Sequence, residues 1–267
     1  MRWVVIGVGN MGEALVRGLV RQRVAEGAAV VVADPRAEVT ARLAGELGVR
    51  AGDIAAAADA DVIVLAVKPQ TMVQVLDDLG PRVRATDPRP IVISVAAGVR
   101  IATLEAALPE GTPVVRSMPN TPCLIGAGAS AWALGRHADA RAQAVTRALL
   151  EAVGLAVEVP EDQLDAVTAL SGSGPAYVFA LLEALGAGGI AAGLAPDVAA
   201  LLARQTLLGA ARLAAESGVD PAELRRRVTS PGGTTAAALG VLEARGWHDA
   251  LVDAIVAARD RGRELGR

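Results

Sequence analysis

VVIGVGNMG, the stretch from Val4 to Gly12, decides how the first half of this chain folds. Its apolar start is typical of a buried strand, and residues 13–23 continue with a helical pattern. The glycines between them have the spacing GxGxxG, in which Gly7 permits a tight turn, Gly9 lets a phosphate approach the backbone, and Gly12 lets helix pack on strand. The free N–H groups at the start of such a helix bind phosphates. The stretch therefore predicts a dinucleotide-binding strand–turn–helix unit.

Similar short apolar runs recur along the first 160 residues. They are VVIG (4–7), AVVVAD (29–34), DVIVLAV (61–67), PIVISVAAG (90–98) and TPVVRSM (112–118). Because they alternate with helical stretches and are apolar throughout, they predict parallel strands covered by helices on both faces. Two further runs, 129–134 and 155–159, flank a helical segment at 138–153 and extend the sheet. The fold class expected for residues 1–160 is therefore α/β, a Rossmann-type parallel sheet domain.

Only helical patterns remain after Pro160, which predicts an all-α domain over residues 161–267. The helix expected at 177–194 is apolar nearly all round, so one chain alone does not cover it, and we expect dimerisation through this domain. A central helix inside the chain's own bundle is the alternative. The apolar stretch 174–196 approaches the length of a membrane span, but Glu183 and its glycines favour a buried helix. We expect no membrane partner.

Composition narrows the function classes. The chain has 267 residues, of which 52% are hydrophobic and 21% charged, and its net charge is −3. These values are typical of a globular protein without a basic surface, so we expect no nucleic-acid partner. The single cysteine, Cys123, excludes an intrachain disulfide and a cysteine-rich metal site. We therefore expect no metal, and the chain suits the reducing cytoplasm.

Charged residues lie where we expect the adenosine ribose and the nicotinamide half of the cofactor. Asp34 ends the second strand, where an acid holds the ribose hydroxyls of NAD(H). Arg36 could instead bind the 2′-phosphate of NADP(H), and Asp53 in the next loop offers a third polar contact. Lys68, the one lysine of the chain, closes the run 61–67 at the sheet edge where ligands bind, and we expect it near phosphate or nicotinamide. The choice between NADP(H) and NAD(H) stays open.

Two Ser/Gly/Thr-rich loops lie in the helical part, LSGSGPAY (170–177) and VTSPGGTT (228–235). Each leads into a helix, so its N–H groups and hydroxyls are available to bind a carboxylate. For either loop alone, a capping turn is the alternative.

With AVKPQ (66–70), SVAAGV (94–99) and RSMPNTP (116–122), these loops resemble segments of the pyrroline-5-carboxylate reductase family. The stretch 221–243 is similar to the family's C-terminal signature at essentially every defining position. The resemblance runs in order over nearly the whole chain. It implies an NAD(P)H-dependent oxidoreductase that reduces L-1-pyrroline-5-carboxylate to L-proline in proline biosynthesis. It also implies a homodimer whose dimers assemble further, as far as a decamer.

The resemblance also implies site residues. The cofactor contacts would be Gly7, Gly9, Asn10, Met11, Gly12, Ala66, Val67, Lys68, Pro69 and Ala97. The substrate contacts would be Ser230, Gly232, Gly233, Thr234 and Thr235. The loop 230–235 would hold the substrate carboxylate, and Thr235, as the catalytic residue, would offer its hydroxyl to the ring nitrogen. Asp34 and Asp53 are departures, since many relatives carry Ser or Asn at the first position and Asn at the second.

Other functions stay open at this stage. One is a reductase of the same architecture that acts on a 3-hydroxy acid or another cyclic imine. Another is a nucleotide-sensing protein without catalysis. His137 and His248 lie outside the matching motifs, so we expect both at the surface rather than in acid–base roles. Oxidation of NAD(P)H on addition of pyrroline-5-carboxylate separates these possibilities.

Overall fold

The computed structural model describes residues 1–84 and 88–265. It divides into two compact units. The first contains Met1–Ser173 and the C-terminal residues from Ala257 onward, and the second is Gly174–Val256.

The first unit is built on an eight-stranded sheet. Its strands are β1 (Trp3–Ile6), β2 (Val30–Ala33), β3 (Arg50–Gly52), β4 (Val62–Leu65), β5 (Ile91–Ser94), β6 (Val114–Met118), β7 (Gly128–Leu134) and β8 (Gly154–Glu158). Their order across the sheet is β3-β2-β1-β4-β5-β6-β7-β8. Every neighbouring pair is parallel except β6 and β7.

Eleven helices are found in the described part of the chain. They are α1 (Asn10–Arg21), α2 (Ala37–Leu47), α3 (Met72–Arg84), α4 (Ile101–Ala107), α5 (Ala140–Glu151), α6 (Leu164–Val167), α7 (Gly174–Ala191), α8 (Pro196–Ser217), α9 (Pro221–Arg227), α10 (Thr234–Ala244) and α11 (Trp247–Leu265). Short 3₁₀ turns connect several elements, and a π-helical turn, Thr168–Gly172, follows α6.

Buried side chains cover the sheet on both faces. One core cluster contains Leu15 and Trp132, and the other contains Leu79 and Leu104. The strands β1, β4 and β5 are buried along their whole length, as their continuous apolar sequences predicted. The predicted fold class, a Rossmann-type sheet domain followed by helices, is confirmed.

Two features of the sheet differ from the prediction. β7 runs antiparallel to β6 because residues 119–127 between them are too few for the crossover that a parallel strand needs. The third strand in sequence, Arg50–Gly52, was not predicted. It is a short, exposed edge strand without β-branched residues, so it lacks the pattern that marks a strand.

The predicted boundary at 160/161 lies just after the last strand, but the first compact unit continues to Ser173. The reason is that α6 and the following turn pack on the sheet, where Leu164 and Ala169 are buried. The division into domains 1–160 and 161–267 stays a prediction. Residues 266 and 267 lie outside the described residues.

The second unit exposes much apolar surface. α7 packs on α8, and a Cβ added at Gly189 would lie 3.0 Å from the Cβ of Ala199. Phe179, Leu181 and Leu185 of α7 are nevertheless exposed. The single chain therefore leaves α7 largely uncovered, as its all-round apolar sequence predicted, and the alternative of a central helix inside the chain's own bundle is wrong.

Two segments, Glu161–Ala191 and Pro196–Ser217, are long and apolar enough to cross a membrane by length and composition. The same length and composition also occur in helices that pack against other protein, so this test alone does not identify a membrane span.

We expect the protein to sediment as a dimer or a larger oligomer at micromolar concentration, because exposed apolar helices are commonly covered by a second copy. Leu181→Arg, which places a charge on α7, should shift the population toward monomer. Val73→Arg changes an exposed apolar residue of α3 and serves as the matched control, which should sediment like the wild type. A wild-type monomer in sedimentation velocity would contradict the expectation.

Candidate nucleotide site and substrate loop

The fold brings the predicted cofactor residues to one edge of the sheet. β1, β2, β4 and β5 are parallel neighbours, so their carboxyl ends meet at the same edge. The glycine turn 7–12 follows β1, Asp34 follows β2, the segment 66–69 follows β4, and Ala97 lies three residues after β5. This edge, where the strand order reverses, is where open α/β sheets bind ligands.

The glycine turn depends on close approach between backbones. Gly7 has a φ of +87°, and a Cβ there would lie 2.7 Å from the carbonyl oxygen of Ala66. A Cβ on Gly12 would overlap the carbonyl oxygen of Gly7. Both glycines are therefore required by the protein itself, because any side chain would push α1 away from β1 and β4.

Gly9 differs from the other two glycines. Its φ is −70°, and a Cβ added there would meet nothing within 4 Å. The protein alone thus has no steric need for glycine at this position. The space in front of Gly9 is instead available to a ligand. α1 begins at Asn10 with Gly9 as its N-cap and without a side-chain cap, which leaves first-turn N–H groups for phosphate oxygens.

Asp34 is held by four donors. Its Oδ2 accepts the N–H of Val8 at 2.9 Å and Nη2 of Arg36 at 2.9 Å, and its Oδ1 accepts the backbone N–H of Arg36 at 3.0 Å and its Nε at 2.8 Å. The pKa of Asp34 is lowered to about 2, mainly by its hydrogen bonds to the Arg36 guanidinium. Burial acts in the opposite direction, and the two backbone N–H donors lower the pKa further. Asp34 and Arg36 therefore form one ion pair, whereas their sequence positions alone predicted two independent charges.

Asp53 and Lys68 are both exposed. The carboxylate of Asp53 accepts the N–H of Ala55 at 2.8 Å and so caps a short 3₁₀ turn. Lys68 lies at the start of another 3₁₀ turn, where its carbonyl accepts from the N–H and the hydroxyl of Thr71. Asp53 thus has a structural role as a cap that its sequence position did not predict, while Lys68 is exposed at the carboxyl edge.

The substrate loop predicted at 230–235 belongs to the second unit. The N–H of Gly233 donates to the carbonyl of Ser230 at 3.1 Å, and Gly232 has a φ of +69°, which favours glycine. α10 begins at Thr234 with Gly233 as its N-cap and no side-chain cap. The loop is therefore a turn that presents the first N–H groups of a helix, an arrangement that suits a carboxylate.

Sequence reasoning missed a buried polar cluster behind the carboxyl edge. Arg116 contacts Glu161 and Asp165, and Asn120 contacts Ser171. One signal was present, since an arginine inside the apolar run 112–118 requires an acidic partner once it is buried. Its partners lie at least 45 residues away in sequence, so the run itself does not identify them.

The histidines and the cysteine do not belong to the cofactor residues described above. His137 is half-buried beside Glu105 and Arg136, and His248 is exposed. Cys123 is buried, and burial raises the pKa of its thiol. Within residues 1–84 and 88–265, no three His, Cys, Asp or Glu side chains are grouped so as to hold a metal.

Family models match both parts of the chain. The model described as "Pyrroline-5-carboxylate reductase dimerisation" matches residues 161–265. The model described as "NADP oxidoreductase coenzyme F420-dependent" matches residues 2–98.

Individual proteins match over nearly the whole chain. The pyrroline-5-carboxylate reductase of Pseudomonas aeruginosa is 46% identical over 99% of this chain and 96% of its own. A solved pyrroline-5-carboxylate reductase from Coxiella burnetii is 37% identical, with a TM-score of 0.93 over 100% of this chain and 98% of its own. The Plasmodium falciparum enzyme, solved with NADP bound, is 27% identical, with a TM-score of 0.88 over 100% and 98% of the two chains.

Gly9→Asp should abolish binding of NAD(P)H while the protein stays folded, because the added Cβ meets no atom within 4 Å and the carboxylate enters the space available to phosphate. Gly12→Ala is the matched comparison and should instead lower the melting temperature, because its methyl group overlaps the Gly7 carbonyl. Fluorescence titration with NAD(P)H and thermal unfolding measure the two effects. Unchanged cofactor affinity in Gly9→Asp would refute the assignment of this turn.

Proposed function

Since the chain belongs to the pyrroline-5-carboxylate reductase family, we propose that the turn 7–12 binds its cofactor and the loop 230–235 its substrate. The protein is an NAD(P)H-dependent oxidoreductase that reduces the C=N bond of L-1-pyrroline-5-carboxylate to give L-proline, the last step of proline biosynthesis. The observation that carries the residue assignment is the open space at Gly9 in front of an uncapped helix. Oxidation of NAD(P)H on addition of the imine tests the activity.

The residues at the carboxyl edge fit a dinucleotide. Gly9, Asn10, Met11 and Gly12 would hold the diphosphate on the first turn of α1, with Gly7 forming the turn. Asp34, Arg36 and Asp53 would surround the adenosine ribose. Ala66, Val67, Lys68, Pro69 and Ala97, which follow β4 and β5, would line the nicotinamide half. When bound, the reduced cofactor supplies the hydride for the reaction.

The substrate needs little chemical activation, because the imine carbon is already electrophilic. The chain's main tasks are therefore to align the substrate and to exclude water. Ser230, Gly232, Gly233 and Thr234 would bind the substrate carboxylate through the N–H groups and hydroxyls of the turn. Binding of the carboxylate would fix the position of the ring and orient the imine carbon, and this task requires no acid or base.

Thr235 would contact the ring nitrogen. A hydroxyl can accept the N–H of the protonated imine and can donate to the amine that forms, so it serves both ends of the reaction. Neither histidine lies in the assigned loops, which supports a mechanism that depends on positioning rather than on a strong general acid. The proton on nitrogen would come from solvent.

The protein forms homo-oligomers through its helical part. We infer that the oligomer is a homodimer in which α7 and α8 of two copies cover each other, with dimers assembling as far as a decamer. If a second copy covers α7 and α8, their apolar sequences are explained and no membrane is required. We further propose a cytoplasmic location, and a division into a dinucleotide domain, 1–160, and a helical domain, 161–267.

Thr235→Val should lower kcat/KM for the imine by roughly 5- to 150-fold, since one hydrogen bond of about 1–3 kcal/mol to the reacting group is lost. Affinity for NAD(P)H should change little. Thr235→Ser keeps the hydroxyl and is the matched control, which should stay close to the wild type. Steady-state kinetics with both substrates varied measure the effect. Wild-type kinetics in Thr235→Val would remove this residue from the mechanism.

We also expect the protein to use both NADH and NADPH with weak discrimination. Asp34 opposes a 2′-phosphate and Arg36 favours it, and a unit charge pair at 4 Å is worth ~1–4 kcal/mol near a protein surface, so the two effects largely cancel. Asp34→Ser releases Arg36 toward the phosphate and should shift preference toward NADPH. Arg36→Ala leaves Asp34 alone with the ribose and should shift it toward NADH.

The measurement is kcat/KM for each cofactor at a fixed imine concentration. Glu38→Ser removes a nearby exposed acid that acts on Arg36 through its charge, and it serves as the control for long-range charge. If neither Asp34→Ser nor Arg36→Ala changes the cofactor ratio by more than about threefold, these residues do not line the ribose.

A further inference from the structure

The motif RSMPNTP (116–122) has no cofactor or substrate contact in the assignment above, yet it anchors the segment that precedes α7. Arg116 lies in β6 with its side chain 5% exposed. Its Nη1 lies 3.3 Å from Oε1 of Glu161 and its Nη2 lies 3.1 Å from Oδ1 of Asp165. Because a buried guanidinium needs such partners, the start of α6 is fixed to β6.

Asn120 fixes the other end of the same segment. It is 8% exposed, and both ends of its amide are used. Nδ2 donates to the carbonyl of Ser171 at 3.0 Å, and Oδ1 accepts the N–H of Ala129 at 2.9 Å. Asn120 therefore connects β7 to the end of the π-helical turn 168–172.

The carbonyl of Ser171 needs this donor for a reason that is visible in the sequence. In a continuous helix it would accept the N–H of the residue four positions later, and that residue is Pro175, which has no N–H. Asn120 supplies the missing donor. The turn is also π-helical, with the N–H of Ser173 donating to the carbonyl of Thr168 at 2.8 Å, and such turns are frequent at functional sites.

The turn 171–173 lies at the nicotinamide end of the sheet. Gly172 packs beside Met118, the last residue of β6, and the hydroxyl of Ser117 donates to the carbonyl of Ser94 at the end of β5. β5 and β6 lie on the opposite side of β1 from β2. Since the diphosphate binds after β1 and the adenosine ribose after β2, the nicotinamide belongs toward β5 and β6.

We propose that Asn120 is a positioning residue for hydride transfer, which holds the turn 171–173 against the reacting end of the cofactor through the carbonyl of Ser171. This proposal rests on the proposed function. Asn120 does not itself contact the reacting atoms, so its loss should slow the transfer step and leave cofactor binding largely intact.

Asn120→Asp tests the proposal with a side chain of the same shape. One carboxylate oxygen can still accept from Ala129, but the other places an acceptor against the Ser171 carbonyl. At saturating substrates kcat should fall about tenfold, while KM for NAD(P)H stays within about twofold. The deuterium isotope effect on kcat with C4-deuterated cofactor should rise, because hydride transfer becomes more rate-limiting. Thr146→Val, an isosteric change at a buried hydroxyl of α5, is the control and should leave all three values unchanged.

Gly172→Ala is a second variant for the case in which Asn120→Asp does not fold. Its methyl group would lie 2.6 Å from Cε of Met118, so the Met118 side chain is displaced and no longer supports the turn, while Asn120 is unchanged. The same kinetic signature is expected. An inactive wild type would overturn the proposed function and this inference together. An active wild type, with wild-type kcat and isotope effect in the folded variants, would overturn this inference alone.

Discussion

Contact between backbones at the start of α1 is the constraint on which the first unit depends. The helix can approach β1 and β4 closely because Gly7 and Gly12 have no side chains where the Gly7 and Ala66 carbonyls lie. That approach brings the helix N-terminus directly over the strand ends, and it leaves Gly9 as the position where the backbone faces open space. The same geometry therefore closes the fold and creates the site that we propose for the phosphates.

Local patterns explain why much of the fold and the cofactor edge could be predicted. The strands flanking the glycine turn are apolar and short, and the residues that follow them in sequence must lie at the carboxyl edge once the strands are parallel. Asp34 and Lys68 were identified in this way. The direction of β7 was not, because it depends on the length of the loop after β6 rather than on any pattern within β7 itself.

The buried polar cluster could not be predicted from local patterns. Asn120 and Ser171 are 51 residues apart, and Arg116 and Asp165 are 49 apart, so neither pairing follows from the spacing within one element. The sequence does show which groups require a partner. Arg116 interrupts an apolar strand, and Pro175 deprives the Ser171 carbonyl of its helical donor. A buried charge or a carbonyl without its helical donor can therefore be recognised in the sequence, but only the fold shows which residue is its partner.

Asp34 shows how one side chain couples two parts of the proposed cofactor site. A carboxylate offers about four acceptor positions, and Val8 and Arg36 together supply four donors. A ribose hydroxyl can therefore bind Asp34 only as the Arg36 guanidinium withdraws, and a withdrawn Arg36 is the cation that a 2′-phosphate requires. Because the Val8 N–H belongs to the glycine turn, the carboxylate proposed to contact the ribose is also fixed to the backbone proposed to hold the diphosphate. In the proposed site, contact with the ribose and contact with a 2′-phosphate thus depend on one ion pair, Asp34–Arg36, rather than on two separate groups.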